Sequence, residues 1–471
     1  MLFNTIEYAL FLPLILGLYY AVPHRFRWAL LLAASYFFYM SWKVEYIILI
    51  LASTGVDYLS GIMMEKQPER KARLPFLLLS LFTNLGLLFV FKYYNFAIGN
   101  LNAAFQKIGL AAELPIMRLL LPVGISFYTF QTLSYSIDVY FGRQKAEHHL
   151  GYFALYVAFF PQLVAGPIER YSRLAPQLKA KHRLSYDNLA KGLRLILYGL
   201  FIKMVIADNL SGLVDQVYAH PEQFARSDLL LGICFYSFQI YSDFFGYSLI
   251  AIGSALIMGI TIIDNFNTPY LSRSIGEFWQ RWHISLSTWF RDYLYFPLGG
   301  NRVAKARWML NILIVFLVSG LWHGANWTFV IWGGLFGLLY LAEKGIEQGT
   351  GRLRKHRPYS PRHLLLAGKT FALVTLIWVF FRSQSFEQAI HIFGLLIHPP
   401  TEVVSALNIA PALWIFLGLF IASDFILYNK RFDEWTGDRP AWLRWLIYSI
   451  LLFAILVFAG VENFPFIYFQ F

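Results

Sequence analysis

The sequence predicts an all-α, polytopic membrane protein of about eleven transmembrane helices with additional re-entrant and interfacial helices. Three observations carry that expectation. Of 471 residues, 58% are hydrophobic and 14% are charged, against about 25% charged in an ordinary soluble domain. Mean hydropathy is +0.52, which excludes a water-soluble globule. The apolar runs are long and continuous, whereas the strands of a membrane barrel would be about 10 residues long and would alternate.

Aromatic residues make up 19% of the chain, and part of that excess fits belts at the two membrane–water interfaces. The net charge of +12 sits in short loops between apolar runs. That is the positive-inside pattern, so no nucleic acid is expected as a partner. Cys234 is the only cysteine, which excludes a disulfide framework or a thiolate metal site within the chain. The opening "MLFNTIEYALFLPLILGLYYAV" lacks a basic leader and a small-residue cleavage site. It reads as a first spanning helix rather than a removed signal.

Candidate spans fall near 5–22, 27–41, 45–63, 74–92, 117–130, 151–166, 189–207, 228–260, 309–341, 365–381, 410–427 and 441–461. The 228–260 run is too long for a single span and holds Asp243. No internal repeat or Ser/Gly linker interrupts the chain, so residues 1–471 read as one membrane-embedded domain. The basic loop "MEKQPERKARLP" (64–75) belongs in the cytoplasm. Counting back three spans puts the N-terminus outside. The loops at 169–183 and 351–362 are basic as well and should also be cytoplasmic.

The 309–341 run carries no charge, yet both of its flanks are basic and should lie on the same side. A span needs about 20 residues. The run is therefore either one overlong tilted helix or two short half-spans meeting at a break, for which "HGANW" is the place. Non-helical backbone at that depth is tolerated only beside a cavity or packed in protein. His323 then sits near mid-depth beside a cavity. Its imidazole can take up and return a proton near neutral pH, the work of a general base. The alternative is a packed helix whose histidine is capped by a backbone carbonyl. Gly320 and Gly324 form a small-xxx-small pair that lets another helix approach. Asn326 and Trp327 follow the histidine at i+3 and i+4 if the helix continues.

The stretch "SRSIGEFWQRWHISLSTWFRDYLYFPLGGNR" (272–302) is too polar to span. As a helix it lines up Phe278, Trp282, Ser285 and Trp289 on one stripe, which predicts an amphipathic helix at the interface or re-entering from it. His283 is one step off the stripe and can face inward. The alternative is an interfacial anchor. Two histidines are too few for zinc, so no metal is expected; heme ligation by the pair is conceivable but disfavoured. "QIYSDFFGYS" (239–248) places Asp243 among apolar residues, which implies a partner, such as a tyrosine hydroxyl or an arginine. "DNFNTPY" (264–270) breaks a helix and turns the chain into the amphipathic segment. Pro122 and Gly124 interrupt another apolar run. There is no nucleophile elbow and no phosphate-binding loop. His182 and Asp187 have the H-x-x-x-x-D spacing of glycerol-phosphate-type acyltransferases, without their downstream Pro-Glu-Gly, and read as chance.

Several of these stretches together resemble the membrane-bound O-acyltransferase superfamily, in particular its bacterial branch of alginate O-acetyltransferase-like polysaccharide acetylation proteins. They are "SFYTFQTLSYSIDVYFG" (126–142), "FFPQLVAGPIER" (159–170), "DNFNTPY" (264–270), "EFWQRWHISLSTWFRDYLYFPLGGNR" (277–302), "GLWHGANWTFVIWG" (320–333) and "FIYFQF" (466–471). The resemblance implies a ring of tilted helices around a central funnel. It makes His323 the essential histidine and His283 the second characteristic one. Trp282, Trp322, Asn326, Asp243 and Asn265 are the candidate substrate-binding or channel-lining residues. One motif departs from the pattern: Phe245 and Leu249 stand where a serine and an aspartate are usual.

The resemblance further implies an acetyl group, a secreted or cell-surface polysaccharide such as alginate as acceptor, and a periplasmic or extracellular acetyltransferase partner, in a bacterial inner membrane. The donor expected is acetyl-CoA or an acyl-carrier thioester arriving from the cytoplasm, with no bound cofactor. A donor amide from Asn326 or from the "HGAN" backbone could serve the oxyanion. Two rival readings remain at this point. One is D-alanyl or other acyl transfer to a teichoic acid-type polymer or lipid. The other is a transporter or flippase without covalent chemistry, against which the missing repeat weighs.

Overall fold

A computed structural model describes residues 1–163, 166–350, 358–399, 405–460 and 466–467, without side chains at 347–350. The basic loop at 351–357 and residues 468–471 of the closing motif lie outside the described residues. The elements formed by the described residues are helices joined by loops. One isolated bridge pairs Phe224 with Ser405, and no strand forms among the described residues. Among the described residues, seven helices are long and apolar enough to cross a membrane, and three shorter apolar helices accompany them.

Helix boundaries follow local chemistry. Ser274, Ser360 and Ser385 cap their helices by accepting from the backbone N–H of Glu277, His363 and Gln388, satisfying donors that the first turn leaves open. Pro361 and Pro411 open their helices, where the missing N–H costs nothing.

Contacts separate two compact units. One comprises Met1–Leu189 with Ser254–Ile263. Its helices Ile47–Glu65, Arg70–Leu88 and Ile125–Tyr140 share a buried polar cluster. Asp57 accepts from Ser80 Oγ at 2.5 Å, Asn84 Nδ2 at 2.8 Å and Ser136 Oγ at 3.2 Å. Asn84 Oδ1 in turn accepts from Ser53 at 2.6 Å and Thr132 at 3.1 Å. Hydrogen bonds between helices are what bind apolar helices where the hydrophobic effect does not. The loops of this unit are tied too: Glu147 accepts from Lys179 and Tyr171, and Arg27 donates to the His182 carbonyl at 2.7 Å. His182 Nε2 meets the Gln177 carbonyl at 2.7 Å and its ring packs on Gly259, so this histidine braces a loop.

The other unit comprises Ala190–Gly253 with Asp264–Gln470 and holds both candidate histidines. Several span expectations need correction. Residues 117–124 are not helical, and the helix there is Ile125–Tyr140. The 151–166 run yields Leu150–Ala158 and Phe160–Leu163, each too short to cross, and its residues 164–165 lie outside the described residues. The 228–260 run is a single unbroken helix, Arg226–Ile257, whose 32 residues reach about 48 Å. The 272–302 stretch is not one helix: Ile275–Arg281 and Ile284–Phe290 are separate and are followed by a widened turn over Arg291–Tyr295. Its stripe residues Phe278, Trp282, Ser285 and Trp289 are nonetheless all buried.

The 309–341 run is neither one overlong helix nor two half-spans. It forms a hairpin of two helices, Lys305–His323 and Trp327–Thr350, which hold the candidate spans Lys305–His323 and Trp327–Ile346. The arms run antiparallel, with Phe316 and Gly320 of the first facing Gly333 and Gly337 of the second. A Cβ on Gly320 would lie 2.2 Å from the Phe329 carbonyl oxygen, and one on Gly333 would lie 2.2 Å from that of Phe316. Only glycine permits this approach. The hairpin explains how both basic flanks can lie on one side. It also puts His323 at the end of a helix rather than in its middle.

Candidate active site

His323 is the last residue of the first arm. The helix stops because Gly324 takes an extended conformation, φ −160° and ψ 150°, and a Cβ there would fall 2.1 Å from the Phe329 ring. Asn326 begins the second arm by accepting from Thr328 N at 3.1 Å, and its amide donates to the Gln384 carbonyl at 2.8 Å. The helix does not continue past His323, so the i+3 relation does not form, and the Asn326 side chain shapes the turn. The close approach at Gly320 serves the second arm of the same hairpin.

His283 lies between the two short helices, outside the spanning segments, with φ 43° and ψ 54°. A left-handed conformation is unfavourable for a residue with a Cβ and persists where its surroundings enforce it. The helix before it closes with Trp282 N donating to Phe278 O at 2.8 Å. The helix after it is held by Asn265. Ile284 N donates to the Asn265 carbonyl at 3.0 Å. Ser285 Oγ donates to Asn265 Oδ1 at 2.7 Å, and Ser285 N donates to the same oxygen at 3.3 Å. Asn265 Nδ2 donates to Ser248 Oγ in the long helix at 3.3 Å. The "DNFNTPY" turn is thus a brace for the histidine, reinforced where Asn267 N donates to Arg281 O at 3.0 Å.

The fold brings the two histidines together from about forty residues apart. Their ring centroids are 6.2 Å apart, and the residues are 0% and 2% exposed. Aromatic rings enclose them. Trp322 stands 5.9 Å from His283 and 4.9 Å from His323. Phe244 meets His283 edge-on at 4.7 Å. Trp332 and Phe381 flank His323 at 5.0 and 5.4 Å. Trp282 joins the same wall through Trp378 at 5.1 Å, and Trp378 stacks on Trp332 at 5.6 Å. Burial pushes the His283 imidazole down to about 3, so it is neutral at physiological pH.

Asp243 is buried, and the partners that meet it among the described residues are a lysine and a backbone N–H, in place of the expected tyrosine or arginine. Its Oδ1 lies 2.5 Å from Lys203 Nζ, and its Oδ2 accepts from Ile467 N at 2.7 Å. Phe245 stacks on Tyr241 at 5.3 Å and Leu249 is buried, so the two positions that depart from the motif are apolar packing positions. Sequence reasoning missed Lys203, although a lone cation inside "LILYGLFIKMVIA" is the signal that a buried counter-ion exists. It also missed Phe244, Trp332, Trp378 and Phe381. Nothing distinguishes these from the many other aromatics until they are placed in space.

A neutral imidazole accepts a proton, and an oxygen between two rings at this spacing can lie within hydrogen-bond reach, about 3 Å, of both. The wall excludes bulk water, which strengthens electrostatic effects inside it. The profile of the membrane-bound O-acyltransferase family matches residues 143–381, which include both histidines. A protein of Pseudomonas aeruginosa named "Probable alginate O-acetylase AlgI" is 40% identical over 453 residues, covering 92% of this chain and 85% of that protein. The "Peptidoglycan O-acetyltransferase" of Helicobacter pylori is 37% identical over 426 residues, covering 83% and 79%. The "Teichoic acid D-alanyltransferase" of Bacillus subtilis is 33% identical over 224 residues, covering 45% and 56%. With a family profile over half its length and such relatives over most of it, this chain belongs to the membrane-bound O-acyltransferase family and is an O-acyltransferase.

Proposed function

We propose that this O-acyltransferase passes an acetyl group from a cytoplasmic thioester, acetyl-CoA or an acyl carrier, across the inner membrane for O-acetylation of a secreted or cell-surface polysaccharide. The single observation that carries the reading is the enclosed pair His283 and His323, 6.2 Å apart within the family-matched segment. In this mechanism neutral His323 takes the proton of an acceptor hydroxyl while the oxygen attacks the thioester carbonyl carbon. The new C–O bond forms, the C–S bond breaks, and the imidazolium returns its proton to the leaving thiolate. His283 orients donor or acceptor and steadies the developing charge. One positioned general base contributes about 10²–10⁴-fold, and alignment of the reactants supplies much of the remainder. Because both rings are enclosed, the aromatic wall must part for reactants to enter, a gating step of the kind that often limits turnover.

The acetyl group and a polysaccharide acceptor are supported by the names of relatives matched over most of the chain. The D-alanyltransferases match less than half of it, which favours acetyl over D-alanyl transfer. The acceptor hydroxyl belongs either to the polymer or to a periplasmic or extracellular acetyltransferase partner that completes the transfer. The basic loop at 64–75 supports an outside N-terminus.

The direct test replaces His323 with Ala and measures polymer O-acetyl content at matched protein level. Loss is expected, and undiminished acetylation removes His323 from the mechanism. Membrane vesicles supplied with radiolabelled acetyl-CoA or with a charged carrier protein identify the donor. Label that crosses the membrane free, without appearing on an acceptor, overturns transfer chemistry in favour of transport.

A further inference from the structure

We propose that Asp243 is a positioning residue that fastens Phe466 and Ile467 behind Phe244, the ring that meets His283; this rests on His283 and His323 being the reacting pair. Asp243 belongs to the long helix Arg226–Ile257 and is buried. Its two oxygens do different things. Oδ1 pairs with Lys203 Nζ at 2.5 Å, and Lys203 also reaches Asp208 Oδ1 at 2.7 Å. Oδ2 accepts the backbone N–H of Ile467 at 2.7 Å. Glycines set the pairing: a Cβ on Gly199 would lie 2.7 Å from the Gly246 carbonyl oxygen, and one on Gly246 would lie 2.7 Å from that of Gly199 and 3.0 Å from Lys203 N. The backbones therefore cross at contact distance beside the widened turn Phe201–Ala207, which carries Lys203.

The hydrogen bond at Ile467 has a consequence one residue earlier. Phe466 is fully buried. Its ring stacks on Tyr247 at 4.7 Å and lies 5.5 Å from Phe244. Phe244 follows Asp243 in the helix and is the ring that meets His283 at 4.7 Å. One carboxylate thus fixes both the floor under His283 and the segment that backs that floor. Fixing backbone costs conformational entropy, and an ion pair meant only for stability would not need its second oxygen on the backbone of residue 467. Lys203 supplies the opposite charge beside the carboxylate and aims it, because an unpartnered buried charge is strongly disfavoured.

The test uses the full chain in lipid nanodiscs and in cells. Ile467→Pro removes the N–H that Asp243 accepts, whereas Ile467→Ala keeps it and shortens the side chain. Three quantities are read: the rate at which diethyl pyrocarbonate modifies His283, measured by peptide mass; polymer O-acetylation; and the thermal midpoint. Ile467→Pro is expected to raise His283 modification and to lower acetylation, each about 10-fold, with the midpoint little changed. Ile467→Ala should keep both within about 2-fold of wild type. Asp243→Ala, which removes the accepting oxygen itself, should raise His283 modification at least as far as the proline does, and adding Ile467→Pro to it should raise that rate little further, because both remove the same hydrogen bond. If proline and alanine at 467 behave alike, or if acetylation falls while His283 modification stays at its wild-type rate, the proposal is overturned. If the modification rates separate as expected but the wild-type chain acetylates no polymer, the positioning role stands and the proposed function fails.

Discussion

Asn265 and Ser285 are joined twice: Asn265 Oδ1 accepts from the Ser285 hydroxyl at 2.7 Å and from its backbone N–H at 3.3 Å. His283 lies in the gap that this pair closes, with its backbone in the left-handed region. Replacing Asn265 with Ala removes the shared acceptor but leaves the Asn265 carbonyl that holds Ile284 N. Each buried donor left open costs about 1–3 kcal/mol. The expected result is a lower thermal midpoint and a drop in acyl transfer of roughly 10-fold or more, since small misplacements of a reacting group are costly. Wild-type transfer by Asn265→Ala, assayed at equal protein level, would show that the brace is dispensable.

Asn is among the residues that best tolerate a left-handed backbone, so His283→Asn should fold as the wild type does while lacking the imidazole. Transfer is expected to fall by about 10²-fold or more if His283 takes part in the chemistry. The pH dependence carries a second check. Burial depresses the folded-state pKa of His283 to about 3, whereas an unfolded histidine titrates near about 6.5. Between those values the unfolded chain binds a proton that the folded chain does not, so this residue makes the fold progressively less stable as pH falls below about 6.5. Thermal midpoints from pH 7.5 to 5 should decline more steeply for wild type than for His283→Asn. Parallel declines would contradict a neutral His283.

Gly320 and Gly333 face each other across the hairpin. Gly320→Ala or Gly333→Ala drives a methyl to 2.2 Å from a backbone carbonyl that cannot swing aside. Overpacking of this kind costs about 1–3 kcal/mol or more, and it displaces His323, three residues beyond Gly320. At Gly334 an added Cβ meets only Leu317 Cδ2, at 3.4 Å, so Gly334→Ala should be nearly neutral. Size-exclusion profiles and thermal midpoints of the three variants test this order.

Glu147 lies in a loop outside the spanning helices. Burial alone would raise its pKa, but hydrogen bonds from Lys179 and Tyr171 and the lysine charge outweigh burial and hold it below the usual carboxylate range. A carboxylate depressed in the fold contributes stability that is present above its unfolded value, about 4.3, and is lost as pH falls through the folded one. Wild type should therefore lose thermal stability below about pH 4.5. Glu147→Gln should be less stable than wild type at pH 7 and should lose less on acidification. Identical acid profiles would mean that the pair contributes nothing.

The sequence by itself determined the helical membrane class and the family motifs, and it singled out the two candidate histidines. Continuous apolar runs admit few structures in lipid, and polar side chains within them stand out against that background. The same background hid the boundaries. Period and hydropathy do not say whether 309–341 is one helix, two half-spans or a hairpin. The packing of Gly320 against Gly333 decided that, because the close approach exists only between two separate elements. The stripe over Phe278, Trp282, Ser285 and Trp289 pointed to buried residues but suggested one helix, because amphipathic spacing survives a break of two residues. Asn326 illustrates the reverse: a residue beside the histidine in sequence turned its amide to Gln384. Pairing was legible only in space. Lys203 and Asp243 are forty residues apart, and Ile467 is 224 from Asp243. A buried charge announces that it needs a partner, but only the packing of the tertiary structure decides which group supplies it.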